Sequence, residues 1–289
     1  MSDELRPRRS VLYMPAANAR ALEKAKGIPA DALIFDLEDA VAPDAKDTAR
    51  EQAAAAASSG DYGSREITIR SNGLDTPWGA ADIAAAAAAG PSAIVVPKVT
   101  GAAHLADIAT AMDAAGAPDH TAIWPMVETP EAILAAREIA AFERVAVMVM
   151  GTNDLAKELR ASQVPGRHPL VPHLAAAVLA ARAEGVAIVD GVFNDIGDAD
   201  GFVAECRQGF EMGFDGKTLI HPSQVAPAND VWAPSGDEIA HANRVIEAFE
   251  EAEAGGRGVI TVDGRMIENL HVDEARRCLA VAAAIEDAG

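Results

Sequence analysis

Two apolar runs in the sequence stop at an acid: TAIWPMVET (121–129) reaches Glu128, and VAVMVMGTND (145–154) reaches Asp154. Carboxylates are hard oxygen ligands. Two of them, with water and substrate oxygens completing the shell, are a common way for a protein to hold Mg2+, with Mn2+ as the alternate ion. Zinc is disfavoured, because no His/Cys cluster has ligand spacing. A single acid in such a place is equally well explained as a helix cap, since Asp154 heads LAKELRA and Glu128 precedes Thr129-Pro130. Two acids on neighbouring strands, faced by a base, favour the metal. That base is Arg70, which closes REITIRSN (65–72). A guanidinium there suits bidentate capture of a carboxylate or stabilisation of a developing oxyanion. Its plain alternative is an ion pair with Asp36 or Glu38. Lys98, in AIVVPKV, suits substrate binding. A Schiff-base role competes with a simple ion pair, which the crowd of acids favours.

These residues need a scaffold that gathers strand ends. Eight β-rich runs alternate with helical Ala/Glu/Arg-rich segments: 10–16, 32–39, 65–72, 93–99, 121–129, 145–154, 187–195 and 214–222. That spacing predicts an α/β fold of the (β/α)8 TIM-barrel kind, whose functional groups sit at the C-terminal strand ends. No G-x-G-x-x-G follows the first run, which counts against a dinucleotide-binding sheet. The polar residues closing the runs are then expected around one mouth: Asp36, Glu38 and Asp39, Arg70 and Asn72, Lys98, Glu128, Asn153 and Asp154, Asn194 and Asp195, and Lys217 and His221. Thr129-Pro130-Glu131 reads as a helix start, and Ser235-x-x-Glu238 as a capping box. Residues 1–225 are expected to form the barrel. Residues 226–289 read as a C-terminal helical extension with a short hairpin near GGRGVITVDGR, packing on the barrel or on a neighbouring subunit.

The charge balance narrows the partners. With 24 Lys+Arg against 44 Asp+Glu, the net charge is −20. A nucleic-acid binder would show a basic face, so none is expected. An anionic substrate must be met by a few placed cations or backbone N–H groups. Cys206 and Cys278 have no C-x-x-C spacing and read as reduced thiols. No apolar run is long enough for a membrane span, and MSDELRPRRS has no signal-like core. The expectation is a cytoplasmic protein without a membrane partner.

Taken in order, RSVLYMPAANARALEKA, ADALIFDLEDAVAPDAK, ITIRSNGLDTPWGAADI, IVVPKV, MVETPEAI, GTNDLAKEL and GKTLIHPSQV resemble the citrate lyase beta-subunit and malyl-CoA lyase family over nearly the whole chain. The resemblance implies a (β/α)8 barrel, Mg2+, a homotrimer or homohexamer, and chemistry on short acyl-CoA thioesters and 2-oxo acids. By position, Glu128 and Asp154 match the metal ligands, and Arg70 matches the arginine at the keto acid or its oxyanion. Glu38 and Asp39 match the acidic turn near the metal waters. Arg20 and Lys24 match the segment near the coenzyme A phosphates. Lys98 and Asn153 complete the expected substrate contacts. Two departures stand out: Pro15-Ala16 replaces a common Pro-Gly, and Met266-Ile267-Glu268 replaces Met-Ile-Asp, whose acid serves a neighbouring subunit's site. Glu268 is then the candidate base. The expected activity is reversible carbon–carbon cleavage of a malyl-CoA or citryl-CoA type thioester. The alternatives are a malyl-CoA thioesterase, a citrate lyase beta subunit acting on an acyl-carrier protein, and a non-catalytic acyl-CoA-binding barrel.

Overall fold

The computed structural model describes residues 5–254 and 260–288. The chain divides into two compact units, one of Arg8–Val231 and one of Trp232–Gly289 with the N-terminal residues up to Pro7. The larger is a closed parallel barrel of eight strands: β1 (Ser10–Pro15), β2 (Ala32–Asp36), β3 (Glu66–Arg70), β4 (Ala93–Val96), β5 (Ala122–Val127), β6 (Val147–Met150), β7 (Ala187–Asp190) and β8 (Gly216–Leu219). β1 pairs with both β2 and β8, which closes the ring. The (β/α)8 expectation holds, and each of the eight runs supplies one strand.

Strand parity decides what fills the barrel. Val11, Ile34, Val95, Trp124, Val149 and Val189 pack together in its interior, so their chain neighbours point at the surrounding helices. Below this core, Arg8 pairs with Glu66 at 2.6 Å and Arg9 with Asp31 at 2.7 Å. The Arg8 guanidinium also lies 5.6 Å from the Trp124 ring centre.

Parity also corrects one expectation. Lys217 does not reach the mouth. Its neighbour Thr218 lines the cleft, so Lys217 points the other way and is fully buried. There its Nζ donates to Asp190 at 3.0 Å and to Glu205 at 2.7 Å. A second difference concerns strand ends. β6 stops at Met150, and Asn153 and Asp154 lie in the first turn of the helix Thr152–Glu158. Gly151 makes this abrupt turn, and a side chain there would collide with the Glu128 carboxylate.

The smaller unit contains the helices Gly236–Ala254 and Asn269–Ala288 and an antiparallel pair, β9 (Ile260–Val262) and β10 (Arg265–Ile267). It has its own small core of Ala242, Val245, Val262, Ile267, Val272 and Ala275. The expected capping box forms, with Ser235 N–H donating to Glu238 at 2.8 Å and Glu238 N–H to Ser235 Oγ at 3.3 Å. Part of the predicted hairpin, 255–259, lies outside the described residues. No helix among the described residues is long and apolar enough to cross a membrane.

Candidate active site

The mouth is organised around one buried ion pair. β2 and β3 are in register at their last residues, Asp36 beside Arg70. The Arg70 fork meets Asp36 with both arms, Nε at 2.6 Å and Nη2 at 2.7 Å. Nη1 turns to Glu38 at 2.8 Å. The guanidinium carbon lies 4.8 Å from the centre of the Tyr13 ring, a cation–π contact. Burial works against this cation, but Asp36, Tyr13 and Glu38 outweigh it and hold the Arg70 pKa well above its ordinary value. Asp36 has a second task. Its two oxygens accept from Glu38 N–H at 2.9 Å and Ala40 N–H at 3.0 Å. The turn that presents Glu38 and Asp39 therefore folds around the same carboxylate that orients Arg70. The ion-pair alternative for Arg70 is thus realised, and Arg70 also lines the cleft.

An outer clamp fixes that turn. Lys46, 5 % exposed, donates to Leu37 O at 2.7 Å, Glu38 O at 2.8 Å and Asn72 Oδ1 at 2.8 Å. Burial pulls the Lys46 pKa down. Asn72 in turn donates to Leu37 O and to Asp82.

Glu128 and Asp154 line the same cleft, a cavity of about 310 Å³ shared with Tyr13, Asp36, Asp39 and Arg70. Glu128 is 2 % exposed. Lys98 takes a left-handed backbone, φ 52°, and donates its N–H to Glu128 Oε1 at 2.7 Å. Burial pushes the Glu128 carboxyl up to about 7, and the nearby Glu38 and Asp154 carboxylates add to the rise. Glu38 is raised mainly by burial, with Arg70 opposing. Such crowding of buried carboxylates is what a divalent cation relieves, and the donors are hard oxygens. Among the described residues, no three His, Cys, Asp or Glu side chains group as a metal cage. The fit is therefore two carboxylates with an otherwise open shell, which suits Mg2+.

The other predicted residues divide. Asn153 lines the cleft and forms a reciprocal amide pair with Asn194, at 3.1 and 2.7 Å. The exposed Lys98 places its Nζ 3.6 Å from Glu38; both stand beside the cleft, joined to it through Arg70 and Glu128, and outside the residues that line it. Asp39 is exposed at the rim, 3.7 Å from Arg70. Arg20 and Lys24 stand exposed on the short helix Ala19–Ala25, outside the residues lining the cleft. Glu268 is exposed in the smaller unit, its N–H donating to His271 Nδ1 at 3.0 Å. His221 caps the turn Pro222–Gln224 and is not among the lining residues. Tyr13, Met126 and Lys46 were not singled out from the sequence. The first two sit inside apolar runs and look like ordinary core.

Comparison with known proteins bears on the family and the fold. The profile of the HpcH/HpaI aldolase/citrate lyase family matches residues 9–222. A (3S)-malyl-CoA thioesterase of Cereibacter sphaeroides is 52% identical over 285 residues, covering 99% of this chain and 98% of the relative. The citrate lyase subunit beta of Escherichia coli is 36% identical, covering 96% and 94%. Among solved structures, CitE from Mycobacterium tuberculosis in complex with magnesium, acetoacetate and coenzyme A superposes with a TM-score of 0.77 at 28% identity, covering 96% of this chain and 100% of that one. With the barrel, the mouth carboxylates and these relatives together, the chain belongs to the HpcH/HpaI aldolase/citrate lyase family.

Proposed function

We propose that the protein hydrolyses a short 3-hydroxyacyl-CoA thioester of the malyl-CoA type, releasing the free hydroxy acid and coenzyme A. The observation that carries the chemistry is the convergence of Glu128, Asp154 and Arg70 on one cleft. What favours hydrolysis over carbon–carbon cleavage is the 52% identity, along 99% of the chain, to malyl-CoA thioesterases. Glu128 and Asp154 would hold Mg2+, which supplies Lewis-acid polarisation and a template for the substrate's oxygens. The relatives crystallised with magnesium, acetoacetate and coenzyme A support the ion and the thioester carrier.

The chain's own residues then divide the work. Arg70, locked by Asp36, stabilises negative charge developing on the reacting carbonyl oxygen. Glu38, held between Arg70 and Lys98, accepts a proton from the attacking water. The carbonyl carbon gains the C–O bond, the C–S bond breaks, and the thiolate leaves to be protonated. Asp39 orders water at the rim, and Asn153 and Lys98 bind the substrate's polar end. Arg20 and Lys24 supply cations for the coenzyme A phosphates, in a chain whose net charge of −20 would otherwise repel them.

A second reading is reversible cleavage to acetyl-CoA and a 2-oxo acid. The citrate lyase beta relatives at 36% identity favour it. Here Glu268 of a neighbouring copy, in a homotrimer or homohexamer, removes the acetyl methyl proton. One experiment separates the two: malyl-CoA with Mg2+, products resolved by mass spectrometry beside a chelated control. Malate and free coenzyme A, lost on chelation, are the expected result. Acetyl-CoA and glyoxylate would establish the lyase instead. Sedimentation as a monomer would remove Glu268 from this second mechanism.

A further inference from the structure

Beside the cleft lies a second cavity of about 570 Å³, larger than the cleft itself. The two share Thr152, Asn153, Val192 and Asn194 among their walls. The Asn153–Asn194 amide pair therefore stands at their junction, joining the first turn of the helix after β6 to the loop after β7.

The second cavity is a built feature. Its far wall is the loop 162–170, and Arg167 pins that loop in place. Arg167 is 7 % exposed and takes a left-handed φ of 43°. It donates to Asp190 at 2.6 Å and to Gln208 at 2.8 Å. Gln208 returns a bond to Gly166 O at 3.0 Å. Lys217 holds Asp190 and Glu205 from beneath. Both cations are paired to these carboxylates, and the one Arg167 donor left without a partner, Nη2, is shut away from the cavity space by burial. The remaining charged side chains on the walls are Asp195 and Asp198. Between them the surface is largely apolar, through Val164, Pro165, Leu170, Val192 and Phe193. Such walls reject an anionic group and accept an uncharged aliphatic one.

Resting on the proposed function above, we propose that this cavity is a side pocket of the metal cleft. It takes the uncharged aliphatic substituent of a 2-oxo acid, or of the matching 3-hydroxyacyl thioester, and the Asn153–Asn194 pair is its threshold. The substrate range then extends beyond the smallest acids to those with an uncharged chain of several carbons.

The test measures binding of glyoxylate, 2-oxovalerate and 2-oxoglutarate to the full chain by calorimetry in excess Mg2+. Burial of each added methylene strengthens binding roughly threefold to fourfold. The expected order is therefore 2-oxovalerate tighter than glyoxylate, with 2-oxoglutarate weaker than 2-oxovalerate because of its second carboxylate. Two variants bracket the pocket. Ala204→Phe, on the exposed helical wall, should lower the 2-oxovalerate-to-glyoxylate affinity ratio about tenfold by filling the space. Asn194→Ala should raise that ratio by widening the threshold. If glyoxylate binds but the ratio is unmoved by either variant, the side pocket is refuted while the metal site stands. If Ala204→Phe instead weakens binding of pantetheine, the cavity belongs to the thiol arm and the proposal falls. If no 2-oxo acid binds, glyoxylate included, the side pocket falls, while thioester hydrolysis, which releases a hydroxy acid, is judged separately by the product assay above.

Discussion

Asp36→Asn is the substitution that isolates the central ion pair. Each Asp36 oxygen accepts one bond from Arg70 and one from a turn N–H, four in all. Asparagine keeps one acceptor oxygen, so at most two of the four survive, and its amide NH2 then faces a guanidinium or an N–H. Asp36 is 1 % exposed and Arg70 8 %. Removing one partner of a buried pair costs about 3–5 kcal/mol. Glu38 at 2.8 Å still neutralises part of the Arg70 charge, so the expectation is the lower end, about 3 kcal/mol. For a chain of this size that is a fall in melting temperature of roughly 6–12 °C. Loss of Arg70 orientation should lower kcat on the order of 100-fold, the usual scale for losing one oxyanion donor. Urea unfolding followed by circular dichroism, with kcat on the thioester, gives both readouts. Glu38→Gln is the control: it leaves Asp36–Arg70 intact and removes a carboxylate whose charge burial already opposes, so it should cost activity but clearly less stability than Asp36→Asn. An Asp36→Asn protein within 1 kcal/mol of the parent and with full kcat would refute the reasoning.

Other outcomes follow from the same geometry. Lys46→Met should lower kcat about tenfold or more while leaving Mg2+ affinity within a factor of three, because it loosens the Glu38 turn and touches neither Glu128 nor Asp154. Calorimetry beside steady-state rates separates those effects. Gly151→Ala should weaken Mg2+ at least tenfold, since the new methyl collides with the Glu128 carboxylate; unchanged Mg2+ titrations would count against that contact. Glu128→Gln and Asp154→Asn should each abolish metal-dependent turnover, and full activity of either in chelator would remove the metal from the scheme. For pH, burial opposes the Asp190 carboxylate, but Lys217 and Arg167 outweigh it and hold its pKa below the ordinary value. Its stabilisation is therefore complete above the unfolded pKa of about 3.9 and is lost as pH falls through the lower folded value. Asp190→Asn should flatten the acid limb of a stability–pH curve below about pH 4.

The barrel was legible because each strand is a short apolar run with a helical segment after it, a pattern that eight repeats make hard to mistake. Glu128 and Asp154 were legible for a related reason: an acid at the end of a buried run is an anomaly. Strand ends were less so, because the chain leaves the sheet at Gly151 before the polar residues arrive. Lys217 was misplaced because closing a run says nothing of which face a side chain takes. One residue of parity separates Thr218 in the cleft from Lys217 in the helix layer. Tyr13 and Met126 were invisible, since an aromatic or thioether at the rim has the same sequence appearance as one in the core. The double duty of Asp36 depends on β2–β3 register, which residue types do not encode.

The closing of β1 against β8 also has a consequence for the chain as it is made. Their paired residues, such as Val11 and Thr218, stand some 200 positions apart. During synthesis β1 therefore waits, its outer row of N–H and C=O groups unpaired, until nearly the whole barrel has left the ribosome. Over that interval the nascent sheet has two open parallel edges, the features most prone to pairing with another chain. A message truncated just before residue 216 would leave both edges without the strand that joins them. The finished barrel's protection against strand addition thus arrives only with its last strand.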